Sequence, residues 1–124
     1  ARLRVAGQSV ELKALCDTGF HVQEPLSGRA VVLVRLGAVR LPEALQTYLE
    51  RCLAGGGGEP RPEWGVRFVP CQTVAGHCLL PALPAALQLG KDRADGLLAA
   101  FCCPTPPDPA WELLYGEDAA QLLL

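Results

Sequence analysis

One carboxylate stands where acid–base chemistry could begin. The apolar stretch Leu12 to Cys16 runs straight into Asp17-Thr18-Gly19, and Pro25-Leu26-Ser27-Gly28 follows as a turn. Gly19 permits a tight bend and a close approach by another chain. Thr18 offers a hydroxyl that can hydrogen-bond across to a neighbouring backbone. Asp17 ends an apolar strand and so belongs at the edge of a core, where its proton affinity can be tuned. Taken alone, the triplet is also compatible with an ordinary turn.

Carboxylate-driven hydrolysis uses two such groups about a hydrogen bond apart, sharing one proton, because two like charges cannot both ionise at that distance. The ionised member takes a proton from water. The neutral one polarises the carbonyl under attack and then protonates the leaving amine. The chain carries one Asp-Thr-Gly. Asp95-Gly96 in KDRADGLL is the rival, but it lacks the hydroxyl residue and the apolar lead-in, and reads as a turn. Two such lobes in one chain would need more than twice 124 residues. The second carboxylate is therefore expected from a second copy, with Asp17 facing its counterpart across a two-fold axis.

The other reactive side chains have weaker contexts. His21 lies four residues after Asp17 with no nucleophile at useful spacing, and reads as a loop histidine. Ser9 and Ser27 lack the glycines of a nucleophile elbow. Gly55 to Gly58 follows a helix and lacks the Gly-Lys-Ser/Thr ending of a phosphate loop. The six cysteines, at 16, 52, 71, 78, 102 and 103, include no CxxC pair. Cys71 and Cys78 with His77 make at best a poor metal site, and the cysteines read as small buried apolar residues in a reducing compartment. Neither a metal nor a cofactor is called for. Arg35 and Arg40 read as solvated ends of elements, or as partners for an acid across an interface. Trp64 and Trp111 read as core or interface anchors.

The elements that must position Asp17 are mostly strands. Arg2 to Val5 and Ser9 to Cys16 pattern as a hairpin turning near Ala6-Gly7-Gln8. Val10, Leu12, Ala14 and Cys16 share one face of its second strand. Arg29 to Arg35 is a β-branched run suited to a buried strand. Leu41-Pro42-Glu43 opens a helix to about Ala54 with Leu45, Leu49, Cys52 and Leu53 as its apolar stripe. Glu59 to Glu63 is a Pro-rich surface loop. Val66 to Val74 and His77 to Leu83 flank Ala75-Gly76 as a second hairpin, whose Pro70 and Pro81 argue for edge strands. Ala94 to Cys102 is a further apolar strand and Pro104 to Pro109 a loop. Glu112 to Tyr115 is a short strand, and Glu117 to Leu124 a short helix.

The stretch ALCDTGFHVQEPLSGRAVVLV resembles the sporulation sigma-factor-processing peptidases, membrane-anchored aspartic enzymes of endospore-forming bacteria. In that family a DTG-type segment is followed by an Asp/Glu-Pro-Leu turn and a valine-rich strand. VRFVPCQTVAGHCLLPALPAAL is similar to the region downstream of the active site, and WELLYGEDAAQLLL to the closing helix. The likeness is closest over residues 14 to 34 and looser over 66 to 87. The family pattern places Asn after the glycine, where this chain has Phe20. The resemblance implies a mostly β, retropepsin-like acid protease half-barrel with one or two short helices, working as a homodimer. Asp17 would be catalytic, with Thr18 and Gly19 completing its loop. Ala75, Gly76 and His77 would form the tip of a substrate flap. The substrate would be the pro-segment of a sporulation sigma factor, and a secreted signalling protein would act on the parent. The alternative is a non-enzymatic, protease-like module that dimerises or binds peptide by strand addition.

Composition is consistent with one such domain over residues 1–124. The chain is 50% hydrophobic and 19% charged, with 13 Gly and 11 Pro to supply turns. A net charge of −2 gives no footing for nucleic acid. No apolar run reaches the roughly 18–20 residues of a membrane helix. Without an initiating Met or a signal-peptide pattern, the chain reads as a soluble fragment making no membrane contact of its own. Its parent would carry an N-terminal membrane domain and lie at the cytoplasmic face of the mother-cell membrane. A domain cut from that anchor can lose its dimer, and its activity with it.

Overall fold

The computed structural model describes residues 1–17, 20, 22–56, 61–73, 76–103 and 111–123, with only the backbone described at 72, 73 and 76–78. Eight strands form one curled sheet in the order β2-β1-β6-β7-β4-β8-β3, with β5 paired to β6 off that path. Two helices, α1 (Glu43–Leu53) and α2 (Glu117–Leu122), pack against it. The fold is the mostly β half-barrel expected from the sequence.

The N-terminal hairpin joins β1 (Arg2–Val5) to β2 (Gln8–Glu11) through Ala6 and Gly7, at φ 52° and 75°. Two successive positive φ values match the strands' own twist. The expected strand from Ser9 to Cys16 is in fact broken at Leu12-Lys13. Leu12 stays with the N-terminus, its N–H bonded to the Ala1 carbonyl at 2.8 Å. Lys13 is taken by Glu112 instead: its N–H donates to the Glu112 carboxylate at 2.9 Å, and its carbonyl accepts the Glu112 N–H at 2.8 Å. The chain thus leaves one strand neighbour for another, and β3 (Ala14–Cys16) runs parallel to β8 (Leu113–Tyr115).

The valine-rich run forms β4 (Val31–Arg35), antiparallel to β8 and parallel to β7 (Asp92–Cys102). Val31, Val32 and Val34 are buried, as a strand covered on both faces requires. One core face gathers Val32, Val34, Leu97, Phe101 and Leu113 with Leu45, Tyr48 and Leu49 of α1 and Ala119 of α2. The other gathers Val31, Leu98 and Ala100 with Val69, Cys71 and Leu80 of the second hairpin. Helix α1 carries Glu43 in its first turn and Arg51 in its last, both favourable to the helix dipole. Trp64 packs on Tyr48 with ring centroids 5.4 Å apart.

Three expectations need correcting. The second hairpin pairs β5 (Arg67–Thr73) with β6 (Gly76–Leu89), and β6 is not an edge strand. It pairs with β5 and β1 along one side and with β7 along the other. Its prolines fit because each falls where the ladder is one-sided. Pro81 is paired with Phe68 just before the β7 ladder begins at Ala82. Pro84 is paired with Leu98 in the gap between the β5 ladder, ending at Ala82, and the β1 ladder, starting at Ala85. A missing N–H costs nothing on an unpaired side. β5 is the edge strand that Pro70 implied.

Asp95-Gly96 is not a turn but an interruption within β7. Pairing passes from Ala85↔Leu97 to Leu87↔Ala94, so Asp95 and Gly96 together face Ala86. Gly96 has φ 74°, which suits a bulge residue. The cysteines are also less buried than expected. Cys71 is buried, Cys52 and Cys102 are intermediate, and Cys16 and Cys103 are exposed.

Candidate active site

The turn bearing Asp17 hangs from the end of β3. The parallel register sets Cys16 beside Tyr115, and the Asp17 N–H continues the ladder to the Tyr115 carbonyl at 2.9 Å. The Asp17 carbonyl then accepts the Phe20 N–H at 3.0 Å. Thr18, Gly19 and His21 lie outside the described residues. Asp17 is exposed.

Strand β8 supports this turn from below. Glu112, just ahead of it, binds the Lys13 N–H with one carboxylate oxygen, while the other lies 3.8 Å from the Arg35 guanidinium. That contact joins the starts of β3 and β8 to the end of β4. It also corrects the reading of Arg35 as a solvated end, since its side chain is 30% exposed and paired within the chain. After Tyr115 comes Gly116, in an extended conformation at φ −105°, ψ −172°. A Cβ built there would collide with the Phe20 carbonyl oxygen and crowd its carbon at 2.9 Å. Gly116 is therefore required by close approach of backbone to backbone. Phe20, where the family pattern has Asn, brings its main chain to this contact.

The segment after the turn is held just as firmly. Val22 accepts the Val31 N–H at 3.1 Å, Gln23 bridges to Ala30, and the Glu24 N–H reaches the Arg29 carbonyl at 2.9 Å. Glu24 is the buried charged residue among those described, at 3% exposure. Its carboxylate accepts the Ser27 N–H at 2.6 Å and the Ser27 hydroxyl at 2.5 Å. Arg67, the first residue of β5, places a guanidinium nitrogen 3.5 Å away. The Ser27 hydrogen bond draws the Glu24 carboxyl below its usual proton affinity, against the opposing effect of desolvation. Near the turn, desolvation followed by the charge of the Cys16 thiolate raises the Tyr115 phenol.

The expected flap tip is only partly placed. Thr73 pairs with Gly76 and Gln72 with His77, so Gly76 and His77 belong to β6 rather than to the connection. Ala75 lies outside the described residues. The sequence reading missed Glu24, Arg67, Glu112 and Gly116. Glu24 had a local signal, a carboxylate three residues before a serine in a Pro-Leu-Ser-Gly turn. Gly116 had one too, a glycine between an apolar strand and an acidic helix start. Among the described residues, no cluster of His, Cys, Asp and Glu could hold a metal, and no helix is long and apolar enough to cross a membrane.

This strand–turn arrangement falls within the stretch matched by a known family. Residues 1–93 match the family model described as sporulation factor SpoIIGA, a peptidase family. The chain belongs to that family. The match covers β1 to the start of β7, including the Asp17 turn, the Glu24 turn and the whole second hairpin. Strand β8 and Gly116, which brace the turn, lie beyond it. No curated protein and no solved structure matches the chain. Membership in the SpoIIGA family makes proteolysis in sporulation the coarse function.

Proposed function

We propose that this chain is an aspartic endopeptidase domain whose catalytic pair is completed by Asp17 of a second copy. The observation that carries the reading is the exposed Asp17 at the end of β3, in the single Asp-Thr-Gly of a SpoIIGA-family chain. Two copies related by a two-fold axis would bring the two turns together, as an isologous contact allows. One carboxylate would activate water and the other would protonate the leaving amine, and the pair would titrate as a unit. Thr18 and Gly19 would complete the loop, and the tip of the β5–β6 hairpin, with Ala75, Gly76 and His77, would close over substrate. The substrate would be the pro-segment of a sporulation sigma factor. In the parent, this domain would follow a membrane segment at the cytoplasmic face and answer to a secreted signalling protein.

The test is cleavage of a peptide spanning the pro-segment junction by the chain and by Asp17→Ala. The rate per chain is expected to rise with chain concentration until dimer saturates, and Asp17→Ala to abolish cleavage while leaving the fold intact. Cleavage that survives in Asp17→Ala would sink the reading. A folded chain that binds the peptide without cutting it, wild type and variant alike, would favour a peptide-binding module. The exposed edge of β5 is where such a peptide would add as a strand.

A further inference from the structure

We infer that Glu24 is a positioning residue that couples the loop following Asp17 to the base of the β5–β6 hairpin through Arg67. This rests on the protease reading for its kinetic consequence, although the coupling itself does not. A charged group is almost never fully buried unless it is paired. Glu24 is buried at 3% exposure. The two hydrogen bonds from Ser27 account for the turn alone. The ion pair with Arg67 goes further, because it joins segments 43 residues apart.

The two ends of that link are the parts that would have to move together. On one side, residues 22–24 are pinned to Val31, the first residue of β4, and to Ala30 and Arg29 just before it. On the other, Arg67 begins β5, which pairs with β6 from its first residue, Arg67↔Ala82, to its last, Thr73↔Gly76. A shift of the hairpin about its base therefore acts on the Glu24 carboxylate, and through it on the chain leaving Asp17. Between these parts lies an open groove of about 540 Å³, with Leu26 and Phe68 exposed on its rims. The pair forms part of that groove's lining, so a chain lying in it would meet both ends of the link. The Ser27 N–H and hydroxyl both donate to the carboxylate and favour its charged form.

The test is a double-mutant cycle of Glu24→Gln and Arg67→Gln in the full chain, with Ser27→Ala as the control for the turn. Two readouts are taken on each: amide hydrogen exchange, and kcat/KM on the pro-segment peptide. Glu24→Gln is expected to speed exchange in residues 67–71, and Arg67→Gln to speed it in residues 22–29, each reporting the opposite end of the link. Each single variant should lower kcat/KM about tenfold, mainly through KM, and the double variant should be no worse than either, as groups acting as one unit behave. Ser27→Ala should loosen residues 24–29 while leaving 67–71 protected. Fully additive effects, or exchange confined to the mutated side, would overturn the inference. If the wild-type chain, shown to be dimeric under the assay, cleaves nothing, the protease reading fails, while the reciprocal exchange still decides the coupling.

Discussion

At the residue scale, two glycines are required for different reasons, and substitution separates them. Gly116 has an extended backbone that any residue adopts, so the cost of a side chain there is collision with the Phe20 carbonyl. Gly116→Ala is expected to lower stability by about 2–3 kcal/mol, as overpacking does, and to displace the turn that follows Asp17. Urea unfolding gives the first effect, and cleavage of the pro-segment peptide the second. A Cβ at Gly96 would meet only open space, so its cost is conformational and arises from φ 74° alone. Gly96→Ala should therefore lose only about 1 kcal/mol, with cleavage unchanged.

Titration offers a second prediction at this scale. Burial, with a hydrogen bond and charge from Cys52, pushes the Tyr48 phenol up to about 12. The folded state then keeps a proton that the unfolded state releases near 10. Its contribution is complete below pH 10 and is lost as pH rises toward 12, so stability should fall over that window. Tyr48→Phe should flatten that fall, and thermal melts from pH 9 to 12 would show it. Glu24 has the opposite sign. Its lowered carboxyl stabilises the fold above its unfolded value of 4.5 and loses that contribution as pH falls through the folded value.

At the scale of elements, legibility followed locality. Strand β4 and helix α1 were readable because their apolar spacing is regular and their neighbours are supplied from both sides. Strand β8 was readable as a strand, but its partner was not. Three residues carry too little pattern to say that they lie parallel to residues near the N-terminus. The prolines of β6 misled because proline reports one missing donor, not which side of the strand it faces. Gly96 misled because the same dipeptide serves turns and bulges, and only the register between β6 and β7 tells them apart. Asp17 was singled out from chemistry, whereas Glu24 was hidden by looking like an ordinary solvated turn residue. The core face built on β7 gives a direct check on the fold. Phe101→Ala, at a fully buried position, should cost about 3–5 kcal/mol in equilibrium unfolding.

At the scale of the whole molecule, the question is how two copies meet. β3 ends the sheet order, and Leu15 on it and Leu122 on α2 are each 49% exposed. Unpaired sheet edges with exposed apolar side chains favour association. Sedimentation or light scattering over a concentration series should show a monomer–dimer equilibrium, and Asp17→Ala should leave it in place. A strict monomer at high concentration would mean that this chain alone does not assemble the pair. On the proposed reading each copy would hold half of the pair, so dissociation should also remove cleavage in proportion to the loss of dimer.

The brace beneath Asp17 spans almost the full length of the chain, from Lys13 to a carboxylate 99 residues later. During synthesis at roughly 5–20 residues per second, the partner strand would leave the ribosome some 5–20 s after β3. Until then the nascent turn has no parallel neighbour to hold it. The order of synthesis thus withholds the last support of the Asp17 turn until β8 has emerged.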